Sequence, residues 1–580
     1  MISKKWIIAP AAPTSLLRQY RGISPIIAQL LYNRGLQTPE EANHFLYDRD
    51  VAATSGDPRH MKDMQKGVTR IRQAIKKGEP IVVYGDFDAD GVTSTTLMME
   101  VLTKLKANVS AYIPHRVDEG YGLNTPALQE LAADGAKLII TVDCGIRSVQ
   151  EVEDANAAGL DMIITDHHSI GPELPPAYAV INPQQVDCPG DNNLAGVGVA
   201  FMTARALLLD ALERNGNNQK HASIYKTILD DLLDLVAIGT VADIMPLNTP
   251  TNRAIVRQGL QVINQSKRPG IRALMKVAGL KQGSVTAMGI GFGLGPRINA
   301  AGRLDSALEA YKLLSASDED EAQKYADRLQ SLNTERQRLT QESQERIRGN
   351  LELSTDLDTA NILFAIDDHV PPGIVGLVAG RLTEEFYRPT VVVERGEDEC
   401  HASCRSIPDF HITHALDECA DILIRHGGHA MAAGLTILPE NLAILQQRLE
   451  EKAHTLLDGM SLLPTITVDM ELSMREANIK LAKELEILEP TGHSNTQPIF
   501  MSRHLKVLDT RTVGSSKDHL KVKLSGDGEP AIDAIGFRLG HWVHDMPDYI
   551  DVVYNLEINE WQGRRNLQLN IRDIRPSEDA

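Results

Sequence analysis

The chain has 580 residues, 42% of them apolar, enough for three or four domains with buried cores. It shows no apolar run of membrane-spanning length, and its formal charge of −19 excludes a uniformly basic nucleic-acid-binding surface. MISKKWIIAPAAP is too short an apolar stretch for a signal peptide, and Cys144, Cys188, Cys400, Cys404 and Cys419 form no C-x-x-C, so a cytoplasmic chain with reduced thiols is expected.

In chain order, SPIIAQLLYNRG and TPEEANHFL read as two helices, the second opened by Thr38 as cap and Pro39 as first residue. From about residue 55 to 310 the pattern becomes β-α-β-α-β-α-β. Apolar runs alternate with helical spacing at Leu97, Met98, Val101, Leu102 and Leu105, at Leu128 and Leu131, and at Val149, Val152 and Ala155. That order predicts a parallel sheet, with ligands collecting at the carboxyl ends of its strands.

The acidic motifs stand at the ends of these runs. IVVYGDFDADGVTSTT stops at Asp86, Asp88 and Asp90; KLIITVDCG stops at Asp143; LDMIITDHH stops at Asp166, His167 and His168; and LVAIGTVADIMPL, taken as a fourth run, carries Asp243. Carboxylates crowded on one rim repel, so each must hold a proton or share a cation. Hard oxygen ligands with imidazole and no thiolate suit Mg²⁺ or Mn²⁺ and the metal-assisted hydrolysis of a phosphodiester. AYIPHRVDEGYGL places His115 and Arg116 near the same rim, where Arg116 can clamp a phosphate or pair with Asp118 or Glu119.

From Ile244 to Leu304 there is no Asp or Glu, where about eight are expected at the average density, and nine Lys and Arg residues are present, which predicts a local basic surface. Residues 317 to 353 are highly charged and read as a long, solvated helix linking two lobes, with acids at its start and Arg346 and Arg348 near its end. Residues 358 to 455 read as a second α/β unit. In it, Ser403, Arg405 and Ser406 offer the hydroxyls and guanidinium of a terminal-phosphate pocket, and Gly427, Gly428 and His429 form either a tight turn or a close approach to phosphate. Residues 465 to 577 show short alternating strands of a small barrel, with Arg503, Lys506, Arg511, Lys517, Lys521 and Lys523 as a basic groove.

DFDADG, VDCG, DHH and GTVAD, in this order and spacing, resemble the DHH phosphoesterase superfamily. GPRINAAGRLD (295–305) and HGGHAMAAGL (426–435) narrow the resemblance to the bacterial RecJ family, from Leu30 almost to the C-terminus. It implies a helical segment (1–50), a DHH catalytic domain on a parallel sheet (51–312), a linking helix (313–355), a DHH-associated domain (356–456) and an OB-fold barrel (464–577). The implied activity is a two-metal (Mn²⁺ or Mg²⁺) exonuclease that degrades single-stranded DNA from the 5′ end to mononucleotides in repair and recombination. Implied partners are single-stranded DNA, a single-strand-binding protein and a helicase, with no membrane.

On that reading Asp88, Asp90, Asp143, Asp166, His167 and Asp243 hold the ions. Asp86 orients a ligand from behind, and His168 touches the scissile phosphate. Arg116, Arg297, Asn299, Arg303, Ser403, Arg405, Ser406, Gly427, Gly428 and His429 contact the strand. The chain departs from the family at Val370-Pro371-Pro372-Gly373, where Trp-His-Pro-Gly is usual, which removes a stacking and a polar group. The rival readings are a phosphodiesterase for short oligonucleotides or cyclic dinucleotides, and an inactive DNA-binding replication subunit.

Overall fold

The computed structural model describes residues 3–116, 119–120, 122–265, 267–354, 356–357, 359–561 and 564–577. Two compact units divide the chain: residues 49–462, and the two chain ends together, up to Asp48 and from Leu463 on. The N-terminal segment, expected as a helical piece of its own, therefore belongs with the C-terminal barrel. Strand β1 (Lys5–Ile8) pairs in parallel with Thr465–Val468. Tyr20, Ile27, Leu30, Leu31, Phe45 and Leu46 share one apolar core with Phe500, Leu520, Tyr554 and Leu569. Its helices start where the sequence places them: Ser24 caps Pro25–Asn33, and Thr38 forms a reciprocal capping box with Glu41 at Pro39–Tyr47.

In the larger unit, β2 (Ile81–Gly85), β3 (Val109–Tyr112), β4 (Leu138–Val142), β5 (Asp161–Thr165) and β6 (Ala179–Ile181) form a parallel sheet in the order β3-β2-β4-β5-β6. Strands β2 and β4 are buried throughout, which is why IVVYG and LIITV are unbroken apolar runs. The chain leaves β2 for β3 and returns across it to β4, so the switch point lies beside β2.

Helix α1 (Ala89–Lys104) follows β2 with Thr93, Ser94, Thr95 and Thr96 in the core. The hydroxyls of Thr93, Thr95 and Thr96 donate to carbonyls four residues back and are so satisfied in a dry interior, while the Ser94 hydroxyl is buried without a partner. They also let the backbone close on its neighbours: a Cβ at Gly239 would lie 2.5 Å from the Thr93 hydroxyl and 2.7 Å from Asp90 Oδ1.

Helix α2 (Gly196–Arg214) and helix α3 (Gln219–Ala242) complete this core. The end of α3 corrects the sequence reading, because LVAIGTVA is helix and not a fourth strand. Leu232, Leu233, Leu235, Val236, Ala237 and Ile238 are all buried, so the helix is apolar all round and its sequence resembles a buried strand. Asp243 consequently caps a helix. The acid-free stretch that follows is not a continuous basic surface either. Arg253 is buried, Arg268 pairs with Asp234 and Glu100, Lys267 with Asp231, and Arg272 with Glu319.

Helix α4 (Gly295–Leu304) leads toward α5 (Glu319–Ser354), the long linking helix. That helix is not solvated all round. Ala322, Ala326, Leu329 and Leu332 lie in the core of the DHH part, and Ile347 and Leu351 in a cluster with Leu363, Ile374 and Val378 beyond it. The stripe was hidden because alanines and widely spaced leucines carry it. Between its two halves the inward face turns polar at Asn333, Arg336, Thr340 and Ser343.

The second α/β part has β7 (Leu363–Asp367), β8 (Thr390–Glu394), β9 (Cys400–Arg405), β10 (Leu423–His429) and β11 (Ala432–Ile437) in the order β10-β11-β9-β8-β7, with α6 (Val375–Phe386) packed on β8 and β9. In the other unit, β12 (Thr465–Val468) carries β1. Strands β14 (Phe500–Val513), β15 (His519–Ser525), β16 (Ile532–Gly536), β18 (Arg564–Pro576) and β17 (Tyr549–Trp561) close a barrel through the β14–β17 pairing, with short β13 (Met470–Glu471) beside β14. Arg503 is engaged by Glu471 and Arg511 by Asp509, and Arg511 and Lys521 stand directly opposite each other across β14 and β15.

Candidate active site

The acidic motifs meet where β2, β4 and β5 end, with Asp243 arriving from the end of α3. Asp88 caps α1, its Oδ1 accepting from Asp90 N and Gly91 N, and Asp90 lies in the first turn. Asp90 in turn accepts Gly196 N and Val197 N at the start of α2, at 2.7 and 2.9 Å. Asp143 sits at a left-handed φ of 65° directly after β4. A Cβ at Gly196 would lie 2.4 Å from its Oδ1, so only glycine fits there. His167 Nε2 is 3.2 Å from Asp143 Oδ1, 3.5 Å from Asp243 Oδ2 and 3.8 Å from Asp90 Oδ2.

Ligand-type atoms converge in three triplets: Asp86, Asp88 and Asp143; Asp90, His167 and Asp243; Asp143, His167 and His168. Asp86 Oδ1, Asp143 Oδ1 and His167 Nε2 are buried without a hydrogen-bond partner. Three orphaned polar atoms on one rim are what a cation would satisfy, so these residues fit divalent metal. Asp166, expected to be a ligand, has Oδ1 accepting from His167 N and His168 N and lying 2.7 Å from His168 Nδ1, while Oδ2 accepts Ile146 N. Asp86, expected behind the ligands, stands among them.

Electrostatics follow from this packing. Burial first, then Asp88, drives Asp86 far above the usual carboxylate range, and burial with Asp90, Asp88 and Asp86 does the same to Asp143. Burial and Asp88 raise Asp90 to about 7, and burial with Asp90 raises Asp243 to about 8. Burial and the neighbouring His168 hold His167 down to about 4, leaving a neutral imidazole with a free lone pair. Burial opposes charge on His168, but the Asp166 carboxylate, with Asp243 and Asp86 beyond, lifts it to about 9.

The metal-free protein should therefore lose stability as pH rises. A carboxyl whose folded pKa is raised binds more protons folded than unfolded, so its stabilisation is lost as pH climbs toward the folded value. His167 works oppositely below its ordinary value of 6.5, which makes the interval from there to about 8 the informative one. With chelator present, Tm is expected to fall across that interval, and Asp243→Asn to flatten the slope. A Tm that rises there would contradict the carboxylate repulsion.

Beside the rim is a group of guanidinium ions. Arg303, at the end of α4, is held down to about 10 by burial first and then by Arg116, Arg336 and Arg405. Arg116 lies over the Phe87 ring at 4.7 Å and feels Asp86 and Asp88. Arg405 Nη1 donates to Ser403 Oγ (3.1 Å) and to the Cys404 carbonyl (2.8 Å). A Cβ at Gly376, the second residue of α6, would lie 2.8 Å from Arg405 Nη2 and 3.0 Å from Ser403 Oγ. The first turn of that helix thus lies against Arg405 and Ser403, and its positive end favours an anion nearby.

The Ser406 hydroxyl donates to the Phe410 carbonyl, closing a turn. Arg297 is tied to Gln330 and to the Gly293 carbonyl. Asn299 accepts Ala89 N and so fixes the start of α1. Gly427, Gly428 and His429 are not a tight turn but part of edge strand β10. There Gly428 has φ +150°, and a Cβ would meet the Ala432 carbonyl at 2.3 Å. Val370, where the family has Trp, is buried with Ile347 and Ile374, and Gly373 accepts Arg303 Nη1 at 2.9 Å. Arg336 was missed, although the polar break in the α5 stripe marks it; its Nε is buried without a hydrogen-bond partner, as is Asn333 Oδ1.

Three family descriptions match the chain: the DHH family N-terminal domain over residues 80–240, the DHHA1 domain over 359–455 and the RecJ OB domain over 468–573. The chain is 39% identical to the single-stranded-DNA-specific exonuclease RecJ of Bacillus subtilis (strain 168), over 96% of this chain and 68% of that one. It is 36% identical to the protein of the same name from Escherichia coli (strain K12), over 96% of both. The crystal structure of RecJ from Thermus thermophilus in complex with Mn²⁺ matches with a TM-score of 0.83 at 27% identity, over 99% of this chain and 80% of that one. With the DHH rim, the associated domain and the barrel all in place, and identity of this level running nearly from end to end, the chain belongs to the RecJ family of single-stranded-DNA-specific exonucleases.

Proposed function

We propose that the chain hydrolyses single-stranded DNA from its 5′ end, releasing mononucleotides, with two Mn²⁺ or Mg²⁺ ions. The observation that carries this reading is the junction of the orphaned carboxylate and imidazole atoms with the arginine group at Arg116, Arg303 and Arg405. Asp86, Asp88, Asp90, Asp143, His167 and Asp243 would hold the ions, and Asp166 would set His167 and His168 in position. When bound, the ions supply Lewis acidity toward water and the phosphodiester and neutralise charge in the transition state.

The chain's own groups do the rest. His168, cationic at neutral pH, donates to the scissile phosphate, and Arg116, Arg303, Ser403, Arg405 and the amino end of α6 hold the 5′ phosphate. A single-strand-binding protein and a helicase are the proposed partners, and the cytoplasm the proposed compartment. No helix is long and apolar enough to cross a membrane among the described residues. The test is digestion of a 5′-labelled single strand with and without Mn²⁺: release of labelled mononucleotide first supports the reading, and internal or 3′-terminal release sinks it.

The barrel is assigned grip. Removing residues from Leu463 onward alone would strip the apolar partners of Ile27, Leu30 and Leu31, so the chain to compare is residues 49–462. It should cut a short oligonucleotide almost normally at saturation. On a long strand it should bind more weakly, with a salt dependence shallower by about 0.7 per lost phosphate contact. Equal loss on both lengths would place the barrel in the chemistry.

A further inference from the structure

Between α3 and α4 the chain presents an aromatic ring to solvent in a way that packing does not explain. Residues Ile290–Leu294 form a π-helical turn, a rare form that recurs at functional sites. Within it Phe292 is 82% exposed, flanked by Gly291 and Gly293, which leave the ring without side-chain neighbours along its own turn. The turn is held against the last turn of α3. A Cβ at Gly291 would lie 3.7 Å from Val241 Cγ1, and one at Gly295 3.3 Å from Ala242 Cβ. Asp243 is the next residue. Ile244 after it is 68% exposed and sits at φ 56°, a left-handed conformation that disfavours a β-branched residue. An exposed ring and an exposed, strained isoleucine thus stand on the two segments that meet at the end of α3, where Asp243 enters the rim.

The positions along this helical stretch fix a direction. Arg303 belongs to the terminal-phosphate group, Asn299 holds Ala89 at the rim, and Phe292 lies further back, eleven residues or about 16 Å of helix from Arg303. A strand with its 5′ phosphate at Arg303 and Arg405 and its first linkage at the carboxylates would continue toward Phe292. At single-strand spacings that distance falls at roughly the third to fifth nucleotide.

We propose that Phe292, with Ile244 beside the rim, is a stacking platform for a nucleobase of the single strand downstream of the scissile linkage. This rests on the exonuclease reading above. Stacking tolerates any base, since every base offers a π face, and it requires an unpaired one, so the platform would help select single strands over duplex.

The test uses the full chain with Mn²⁺ and a 5′-phosphorylated 12-mer whose linkages are cut-resistant phosphorothioates, carrying 2-aminopurine at one position at a time. Binding to the wild type should quench fluorescence most at one position near the third to fifth nucleotide. Phe292→Ala should abolish that quench and weaken binding about tenfold, and Phe292→Trp should restore both. An abasic site at that position should weaken the wild type similarly and leave Phe292→Ala no weaker than before. Unchanged quenching in Phe292→Ala, or an added loss from the abasic site in that variant, would overturn the platform while the nuclease reading stood. A wild type that binds the 12-mer without any position-dependent quench would overturn it too. A wild type that binds no single strand would instead overturn the nuclease reading.

Discussion

Asp243→Ala is expected to slow hydrolysis of single-stranded DNA by about a thousandfold or more in saturating Mn²⁺, several kcal/mol in the barrier. Its carboxylate stands 3.5 Å from His167 Nε2 and shares a triplet with His167 and Asp90. Removing it leaves the proposed site without the third member of that triplet. The fold should survive, since Asp243 ends a helix whose buried face stops before it. Because the carboxylates repel in the absence of cation, the variant should melt no lower than the wild type in chelator. Asp88→Ala should behave alike in rate but lose some stability, because Asp88 also caps α1 through two backbone N–H groups. Either variant keeping more than about a tenth of the activity in saturating Mn²⁺ would remove that residue from the ligand set.

Arg405→Ala is expected to weaken binding of a 5′-phosphorylated strand by about ten- to a hundredfold, and that of a 5′-hydroxyl strand far less. Arg405 makes no salt bridge among the described residues, its Nη1 bonds are to neutral oxygens, and Arg303 nearby feels its charge. A terminal phosphate, with more charge than an internal one, is the group that relieves this repulsion most. Arg405→Lys should recover only part of the loss, because a point charge cannot keep both the Ser403 bond and a forked contact. If both substrates weaken equally, Arg405 grips the backbone generally and the end is read elsewhere.

Much of this was legible in the sequence because strand-end carboxylates advertise themselves. Asp86, Asp88, Asp143 and Asp166 each follow an apolar run that the sheet buries on both faces, and the run's abrupt stop marks the rim. Asp243 was found for its composition but placed on the wrong kind of element, since a fully buried helix and a buried strand share one apolar signature over eight residues. The surroundings of Asp86 and Asp166 were beyond the sequence. They depend on which carboxylate the loops after β4 and β5 wrap around, and that is decided by backbone N–H groups, which every residue type but proline carries. Gly376 and Arg336 were equally silent as letters. One matters through a missing Cβ, and the other through the polar gap in a stripe visible only once the long helix has two cores to join.

The pairing of both chain ends in one unit also has a temporal side. The catalytic stretch 49–462 is made between Tyr20, Leu30, Leu31 and Phe45 and the strands that cover them. At about 5–20 residues per second the intervening stretch takes on the order of half a minute, during which the whole nuclease part can fold as an insertion. Until then an apolar helical pair waits in solvent, exposed to chaperones and proteases. A compact insertion replaces a long flexible loop between the two halves of the split domain, and so lowers the entropic cost of closing it.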